Sequence, residues 1–252
     1  MRVCSVVTVL IFALAYALPA ALADTISLTP IADTTLLESN PANNMGGHVN
    51  FISGRGGSGP RNHALIQFDP AAAIPAGAVI TNVSLRLIVT VASTVNSDFE
   101  LHRLLVPWGE GNKTGSTGQL ATAGEATWNE RLAGTASWTQ PGAAPTNDFI
   151  ATASTITPVA GLGTYTFNAT SAMIADVQLW LDSPGANFGW LLLSALESVP
   201  GTNRRFGSRE DTSGNAPQLV IDFTAVPEPG VAPLLALACG GWWLHRRSIR
   251  SN

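Results

Sequence analysis

The chain has 252 residues, with 13 Lys and Arg against 17 Asp and Glu, and a formal net charge of −4. Without the leader and tail identified below, nine basic residues face sixteen acidic ones, and this excess of negative charge argues against nucleic acid as a partner. Both cysteines, Cys4 and Cys239, lie in those ends, so the body between them can form no disulfide and no cysteine metal site.

The first residues have the three parts of a secretory signal peptide. A basic start at Met1-Arg2 is followed by an apolar run from Val3 to Leu18, and Ala21-Leu22-Ala23 offers a small-residue cleavage site before Asp24. We therefore expect residues 1–23 to be a signal peptide and the protein to be exported across the inner membrane. The alternative is an N-terminal helix that is retained.

The body, residues 24–225, reads as a series of short strands separated by turns. The clearest strand is Val83–Val91, where apolar residues occupy every second position. Similar runs predict further strands, at residues 25–29, 49–52, 64–69, 99–106, 163–168, 189–196 and 219–223.

One stretch of the body has a helical period. Met173, Val177 and Trp180 are spaced as one face of a helix over Thr170–Asp182, with Asn168 or Ser171 as the capping candidate. Many strands, one helix and no strand–helix alternation predict an all-β fold, a two-sheet jelly-roll-like sandwich with one short helix.

The tail, residues 226–252, combines a stiff motif, an apolar run and a basic end. Val226-Pro227-Glu228-Pro229 precedes the apolar stretch from Val231 to Leu244, and Arg246, Arg247 and Arg250 follow it. This order resembles the PEP-CTERM sorting signal of Gram-negative bacteria. The resemblance implies a C-terminal transmembrane helix that anchors the protein transiently, and an exosortase that recognises the Pro-Glu-Pro motif. The alternative is a buried C-terminal helix, although the apolar run is shorter than the ~20 residues that span a bilayer comfortably.

The body resembles the DNRLRE domain family, secreted β-sandwich modules related to carbohydrate-binding modules. The matching pieces, in chain order, are Ile31–Thr34 with Asn44 and Gly46, Arg61 with Ala64–Asp69, Ile74–Ile80, Trp108–Glu110, Thr127–Asn129, Trp138 with Pro141-Gly142, Trp180-Leu181, Asn187–Gly189, and Phe206–Glu210 before Pro217–Leu219. Met45 departs from the family pattern, and residues 143–161 look like an insertion. The resemblance implies a non-catalytic module at the cell surface or outside the cell that binds extracellular polysaccharide.

Two tryptophans are the candidate sugar platforms, because an exposed indole face can stack on the apolar face of a sugar ring. Trp128 and Trp138 lie among Gly, Ala and Thr in loop-like sequence, which favours exposure to solvent. Trp180 and Trp190 fall at positions that the family pattern places in the core.

Three arginines are candidates for binding the carboxylates of acidic polysaccharides, because a guanidinium matches a carboxylate in two parallel hydrogen bonds. They are Arg61, Arg205 and Arg209. The alternative for Arg209 is a structural ion pair with Glu210.

A structural calcium site is the only cofactor that the sequence suggests, because hard cations bind carboxylate and amide oxygens. The residues predicted for it are Asp33, Asn44 and Glu210, although solvated turns explain the first two equally well.

The sequence offers no catalytic motif, and we expect the protein not to be an enzyme. Glu110, Glu125 and Glu130 lie in turn-rich sequence, and the histidines of the body lack zinc-binding spacing. Three functions are left: a polysaccharide-binding module, a structural surface or biofilm-matrix protein, and a polysaccharide-degrading or disaggregating enzyme.

Overall fold

The strands and the helix are described for residues 23–225 from a computed structural model. In chain order the strands are β1 Ala23–Leu28, β2 Ala32–Leu37, β3 Asn43–Asn44, β4 Asn50–Arg55, β5 Arg61–Gln67, β6 Val79–Ala92, β7 Ser97–Arg103, β8 Gln119–Leu120, β9 Glu130–Leu132, β10 Ala136–Ser137, β11 Thr155–Val159, β12 Gly163–Phe167, β13 Trp190–Ser194, β14 Arg204–Gly207 and β15 Gln218–Thr224. The helix α1 runs from Ser171 to Asp182, and a 3₁₀ turn, Pro184–Ala186, follows it.

The main strands form one antiparallel sheet that curls into two layers. The first layer contains β1, β15, β6, β12 and β14, and the second contains β2, β5, β13, β7 and β11 in that order. Strand β4 joins the layers, because its first residues pair with β14 and its last two pair with β5. The result is a sandwich-like all-β fold.

The core between the layers follows from the alternation in the strands. In β6, Val83, Leu85, Leu87 and Val89 are buried, while Arg86 between them points to the outer face. Phenylalanines of β4, β7 and β14 meet in this core, with ring centroids 5.6 Å apart for both pairs that Phe206 makes. Burial of these apolar side chains is the main source of stability for the body.

Helix α1 closes one side of this core. Met173, Val177 and Trp180 are fully buried, and the Trp180 ring meets Trp190 edge-on at 4.4 Å. The N-cap is Thr170, whose hydroxyl accepts a hydrogen bond from the backbone N–H of Met173 at 3.0 Å. The helix is thus confirmed, but neither predicted capping residue is the cap. Trp180 and Trp190 are core residues, as predicted.

A second apolar cluster lies on the outer face of the second layer. There residues 104–154, which we call the covering segment, pack over Leu36, Leu65 and Leu191 of the sheet. Short strands pair within this segment and with β3, but most of its length is turns. The second layer is therefore buried on both faces over part of its area, which a two-layer pattern alone does not predict.

The all-β prediction with one helix is confirmed, and the strands predicted from alternation are all present. Strands β2, β11 and β14 of the main sheet were missed, and so were the short strands β3, β8, β9 and β10. Strand β2 buries Asp33, Thr34 and Thr35, so its polar sequence hides a buried strand. Strand β11 lies inside the predicted insertion and contains Pro158, which an edge strand tolerates. The predicted signal peptide, the sorting motif and the apolar tail fall outside the described residues, except that β1 already begins at Ala23.

Candidate functional site

A cleft of about 540 Å³ opens on the outer face of the second layer, beside the covering segment. Strands β5 and β13 provide its floor, and the loop from Trp138 to Phe149 provides one wall. Its lining combines ionisable, amide, apolar and aromatic side chains: Glu38, Arg61, His63, Trp128, Gln140, Pro141, Ala143, Pro145, Phe149, Leu193 and Glu197. Such a mixture of apolar surface and a few convergent polar groups is typical of ligand sites.

Arg61 and Glu38 form an ion pair at one side of the cleft. Glu38 Oε1 accepts from Nη2 of Arg61 at 2.7 Å and from Nε at 3.1 Å, and Oε2 accepts from the Arg61 backbone N–H at 2.6 Å. The hydrogen bonds from Arg61 hold the pKa of Glu38 below its ordinary value. The pair is therefore a fixed array, because each partner determines the position of the other.

His63 and Glu197 form a second pair, deeper in the cleft. Nδ1 of His63 lies 2.6 Å from the carbonyl oxygen of Gly142 and must donate to it, because a carbonyl can only accept. Nε2 then faces Oε1 of Glu197 at 2.6 Å, without the alignment of a hydrogen bond. Among the described residues neither atom has a hydrogen-bond partner. With the proton of the neutral ring on Nδ1, Nε2 is an acceptor like Oε1, so a ligand's hydroxyl or amine would serve this place as a donor.

The prediction that Trp128 faces solvent is wrong. Its exposed fraction is 4%, because three groups cover its ring. The Arg61 guanidinium lies 5.2 Å from the ring centroid, and the His63 ring lies 4.8 Å away. Gly142 approaches so closely that a Cβ there would sit 2.7 Å from the indole, and its φ of +86° also favours glycine. Trp128 is the base on which the polar groups of the cleft rest.

Trp138 is also buried, with an exposed fraction of 4%, so it offers no platform either. Its indole N–H donates to the carbonyl oxygen of Thr127 at 2.9 Å, and its ring packs in the apolar cluster under the covering segment. Both tryptophans do lie in a loop-rich segment, as predicted. This segment folds back onto the sheet, and the two indole rings are buried between the segment and the sheet.

The wall of the cleft has an unusual backbone. Ala143 and Thr146 have φ of 76° and 72°, a region that non-glycine residues rarely adopt. Asp148, which is buried, holds the loop by accepting hydrogen bonds from the backbone N–H groups of Thr139 and Ala144 at 2.9 and 2.7 Å. Strained backbone fixed by a buried side chain is frequent at ligand sites.

Arg209 lies in a different place, within a cluster of three carboxylates. Its Nε is 2.6 Å from Glu110 and 2.8 Å from Glu210, and its backbone N–H donates to Asp33 at 2.8 Å. The ion pair between Arg209 and Glu210 is thus confirmed. Burial raises the pKa of Asp33 well above its ordinary value and raises that of Glu110 as well. Arg209 thus contacts all three carboxylates, and its guanidinium is already paired within the protein.

The same cluster bears on the calcium prediction. Carboxylate oxygens of Asp33, Glu110 and Glu210 lie within 4.8 Å of one another, which fits the oxygen ligands of a hard cation. A cation would compete with Arg209 for these oxygens. The calcium site stays a prediction, with Glu110 as a member that the sequence did not indicate.

Asn44 uses its side-chain amide in hydrogen bonds within the protein. Its side-chain N–H groups donate to the carbonyl oxygens of Glu110 and Ala126 at 2.6 and 2.9 Å, and its oxygen accepts from the backbone N–H of Gly46 at 3.0 Å. The residue is fully buried. These hydrogen bonds connect the covering segment to β3, and the assignment of Asn44 as a metal ligand stays a prediction.

Arg205 lies on the outer face of the first layer, away from the cleft. It alternates in β14 with the buried Arg204 and Phe206, and its positive charge helps to lower the pKa of His48, after burial of that ring. The structure thus brings Arg61 and Trp128 together, and leaves Arg205, Arg209 and the carboxylate cluster elsewhere.

Sequence reasoning missed Glu38, His63 and Glu197. Glu38 directly follows β2, His63 lies on β5, and Glu197 lies three residues after β13. Only strand pairing brings them together. The one usable signal was His63, which directly precedes the predicted strand 64–69 and lies two residues after Arg61, so that in an extended chain both side chains point to the same face.

Neither a family model nor a curated protein matches the chain. Within residues 23–225, no helix has both the length and the apolar composition needed to cross a membrane.

Proposed function

We propose that the protein is an exported polysaccharide-binding module that acts without catalysis, and that the cleft beside the covering segment is its binding site. The body is then a jelly-roll-like sandwich of the kind that the DNRLRE resemblance implies. The sorting tail adds that an exosortase processes the protein, which then remains at the cell surface or in the matrix outside the cell.

The cleft is the observation that carries this proposal. Two fixed polar pairs, Arg61 with Glu38 and His63 with Glu197, rest on an aromatic base and face an opening that also presents Gln140. Sugars carry many hydroxyl groups, each both donor and acceptor, so an array of planar donors and acceptors at fixed positions is complementary to them.

The geometry favours a binding mode different from the stacking that the sequence predicts. Trp128 is covered by Arg61, so the indole contributes by holding the guanidinium in place. Arg61 is already paired with Glu38, so a uronate carboxylate would have to displace this partner. The proposal is therefore recognition by hydrogen bonds along the cleft, and it does not rest on arginine clamping an acidic sugar.

A catalytic role finds less support in the cleft. Both ring nitrogens of His63 face other groups, one a carbonyl and the other a carboxylate, and Glu38 is paired with Arg61. General acid and base chemistry needs a carboxyl and a carboxylate that are free to exchange protons with the substrate. The arrangement suits holding a sugar better than cleaving one.

The end of the body supports the proposed sorting. Strand β15 ends at Thr224 and the compact unit ends at Ala225, immediately before the motif that begins at Val226. The rigid motif would thus begin where the folded body stops, which is where a processing enzyme needs accessible chain.

Affinity gel electrophoresis of the full chain in mild detergent, against a panel of soluble polysaccharides, tests the proposal. We expect retardation by at least one polysaccharide, with affinity reduced about tenfold by Gln140→Ala and by Glu197→Gln, since each removes a contact worth about 1.4 kcal/mol. Gln218→Ala and Arg205→Ala, both on the outer face of the first layer, are the matched controls and should bind as the unmodified chain does.

Four other results would each overturn the proposal. Equal retardation of all four variants would place the site elsewhere, and loss of binding with Arg205→Ala alone would place it on the first layer. Self-association without any retardation would favour a structural matrix protein. Release of reducing ends from the polysaccharide would make the protein an enzyme.

A further inference from the structure

The cleft continues across the sheet as a longer surface track. Along the outer face of the second layer, strand pairing places Glu38 beside Arg61 and Leu36 beside His63 on β2 and β5. On the far strands it places Leu193 beside Glu100. The same pairing places Ile156 beside Glu100 and Pro158 beside Asp98 on β11 and β7. Four strand spacings of ~4.8 Å make this track roughly 19 Å wide.

A second opening of about 360 Å³ marks the far end of the track. Asp98, Pro158 and Ala195 line it, and all three are exposed. Ala195 and Glu197 lie on the same stretch after β13, the first lining this opening and the second lining the cleft. The two openings therefore adjoin, and a chain-like ligand bound in one would extend towards the other.

The track is acidic. Four carboxylates lie along it, those of Glu38, Asp98, Glu100 and Glu197. Among the described side chains that we place on the track, only Arg61 carries a permanent positive charge. Arg55 is nearby, but its guanidinium donates to the backbone carbonyl oxygens of Glu197 and Ser198. His102 contacts Glu100 at 3.2 Å from the covered side. Glu38 is neutralised by Arg61, whereas Glu100 and Glu197 each contact only a histidine, and these two together with Asp98 are left for a ligand.

These carboxylates are not fully used by the protein. The side chains of Glu100 and Glu197 are 28% and 26% exposed, and Asp98 is exposed. Oε1 of Glu197 has no hydrogen-bond partner among the described residues, and neither has the buried Nε2 of His63 that faces it. A ligand that brings N–H donors and positive charge would satisfy this arrangement. A polyanion would meet repulsion along the whole track.

We propose that the track binds a glycan that carries free amino groups, an amino-sugar polymer with at least part of its nitrogen unacetylated. This inference rests on the proposed function and names the substrate class of the same site. An ammonium group offers three donors to a carboxylate, and charge-assisted hydrogen bonds of this kind are about twice as strong as neutral ones. An N-acetyl group at the same position carries no charge and offers one N–H donor.

The test compares three oligosaccharides of equal length by isothermal titration calorimetry on the full chain: a glucosamine oligomer, its fully N-acetylated form and a galacturonate oligomer. We expect the glucosamine oligomer to bind at least tenfold more tightly than the acetylated one, with an affinity that falls as salt is raised. Asp98→Asn and Glu100→Gln should remove most of this preference and leave the affinity for the acetylated oligomer unchanged. Asp222→Asn, an exposed carboxylate on the first layer, is the control and should change neither affinity.

Each other outcome decides against one of the two proposals. Equal or tighter binding of the acetylated oligomer, or tighter binding of galacturonate, would overturn the inference about amino groups and leave polysaccharide binding in place. A preference for glucosamine that survives both track substitutions would overturn the assignment of the track. Failure of every oligosaccharide and polysaccharide to bind would overturn the proposed function itself.

Discussion

At the scale of single residues, the most demanding feature is a carboxylate inside the core. Oδ2 of Asp176 on α1 accepts hydrogen bonds from the Ser154 hydroxyl at 2.5 Å and from the Trp190 indole at 2.8 Å, while Oδ1 lies 2.9 Å from Nε of Arg103. Burial raises the pKa of Asp176, and these donors act against that rise. The carboxylate thus connects the helix to the second layer through three partners that would otherwise be unpaired.

Replacing Asp176 by Asn should therefore cost about 3 kcal/mol of unfolding free energy, because an uncharged amide in the core leaves the half-buried Arg103 without its counterion. Urea unfolding monitored by circular dichroism measures this. Asp182→Asn, on the same helix but exposed, should change stability by less than about 0.5 kcal/mol. Equal effects of the two substitutions would show that the network contributes little.

The pair of Glu38 and Arg61 gives a pH-dependent prediction. Because the folded-state pKa of Glu38 lies below the ordinary value of 4.5, its stabilisation is present above that pH and is lost as pH falls through the folded-state pKa. Glu38→Gln should lower stability by about 1 kcal/mol at pH 7, a surface-pair magnitude. The difference from the unmodified chain should shrink in urea unfolding series taken below pH 4.5. A difference that stays constant down to pH 3 would contradict the ion-pair account.

At the scale of elements, the wall of the cleft stores backbone strain. Thr146 is β-branched and has φ of 72°, a conformation that costs about 1–2 kcal/mol for an L-residue. Glycine at this position would remove the strain energy. Its greater flexibility in the unfolded state would offset roughly 0.5–1 kcal/mol of that gain.

Thr146→Gly should therefore raise the unfolding free energy by about 0.5–1 kcal/mol, measured by urea unfolding. Thr152→Gly, at an exposed position without a positive φ, should lower it. If the strain also fixes the wall for ligand, the Thr146 variant should bind polysaccharide more weakly while being more stable. Destabilisation by both substitutions would mean that Thr146 makes contacts that outweigh its strain.

The elements also show how far sequence reasoning reached. Alternation predicts β6 well, because in a strand with one buried face every second residue is apolar. It misses β2, where Asp33, Thr34 and Thr35 are buried, because the groups that cover this strand, such as Glu110 at Asp33, come from elsewhere in the chain. The helix was predictable from its period, while its cap was not, because Asn168 and Ser171 rank above Thr170 as N-caps on propensity alone.

The candidate site was predictable only in part. Arg61 and Trp128 could be singled out by residue type, and they do meet in the cleft. The burial of Trp128 could not be foreseen, since it depends on a loop that folds back over the sheet. Glu197 enters the site from a position far from Arg61 in the chain, and only the pairing of β13 with β5 brings it there.

At the scale of the whole molecule, the fold is a rigid acidic body without disulfides in the part that the structure describes. Its stability comes from a core between two layers and from a second core under the covering segment. The covering segment does more than bury apolar surface, because its free edge and the exposed strands next to it form the cleft and the track. We regard this division, one half of the second layer covered and the other half open, as the basis of the proposed function.

The indole N–H signal of Trp128 tests this account most directly, because this ring lies at the base of the cleft under Arg61. In ¹H–¹⁵N spectra of the full chain, with the signal assigned by Trp128→Phe, titration with glucosamine oligomers should shift the Trp128 indole signal. Those of Trp180 and Trp190, buried between the layers, should stay unchanged. A Trp128 signal that does not move at saturating oligosaccharide, or a shift confined to the other tryptophans, would contradict the account.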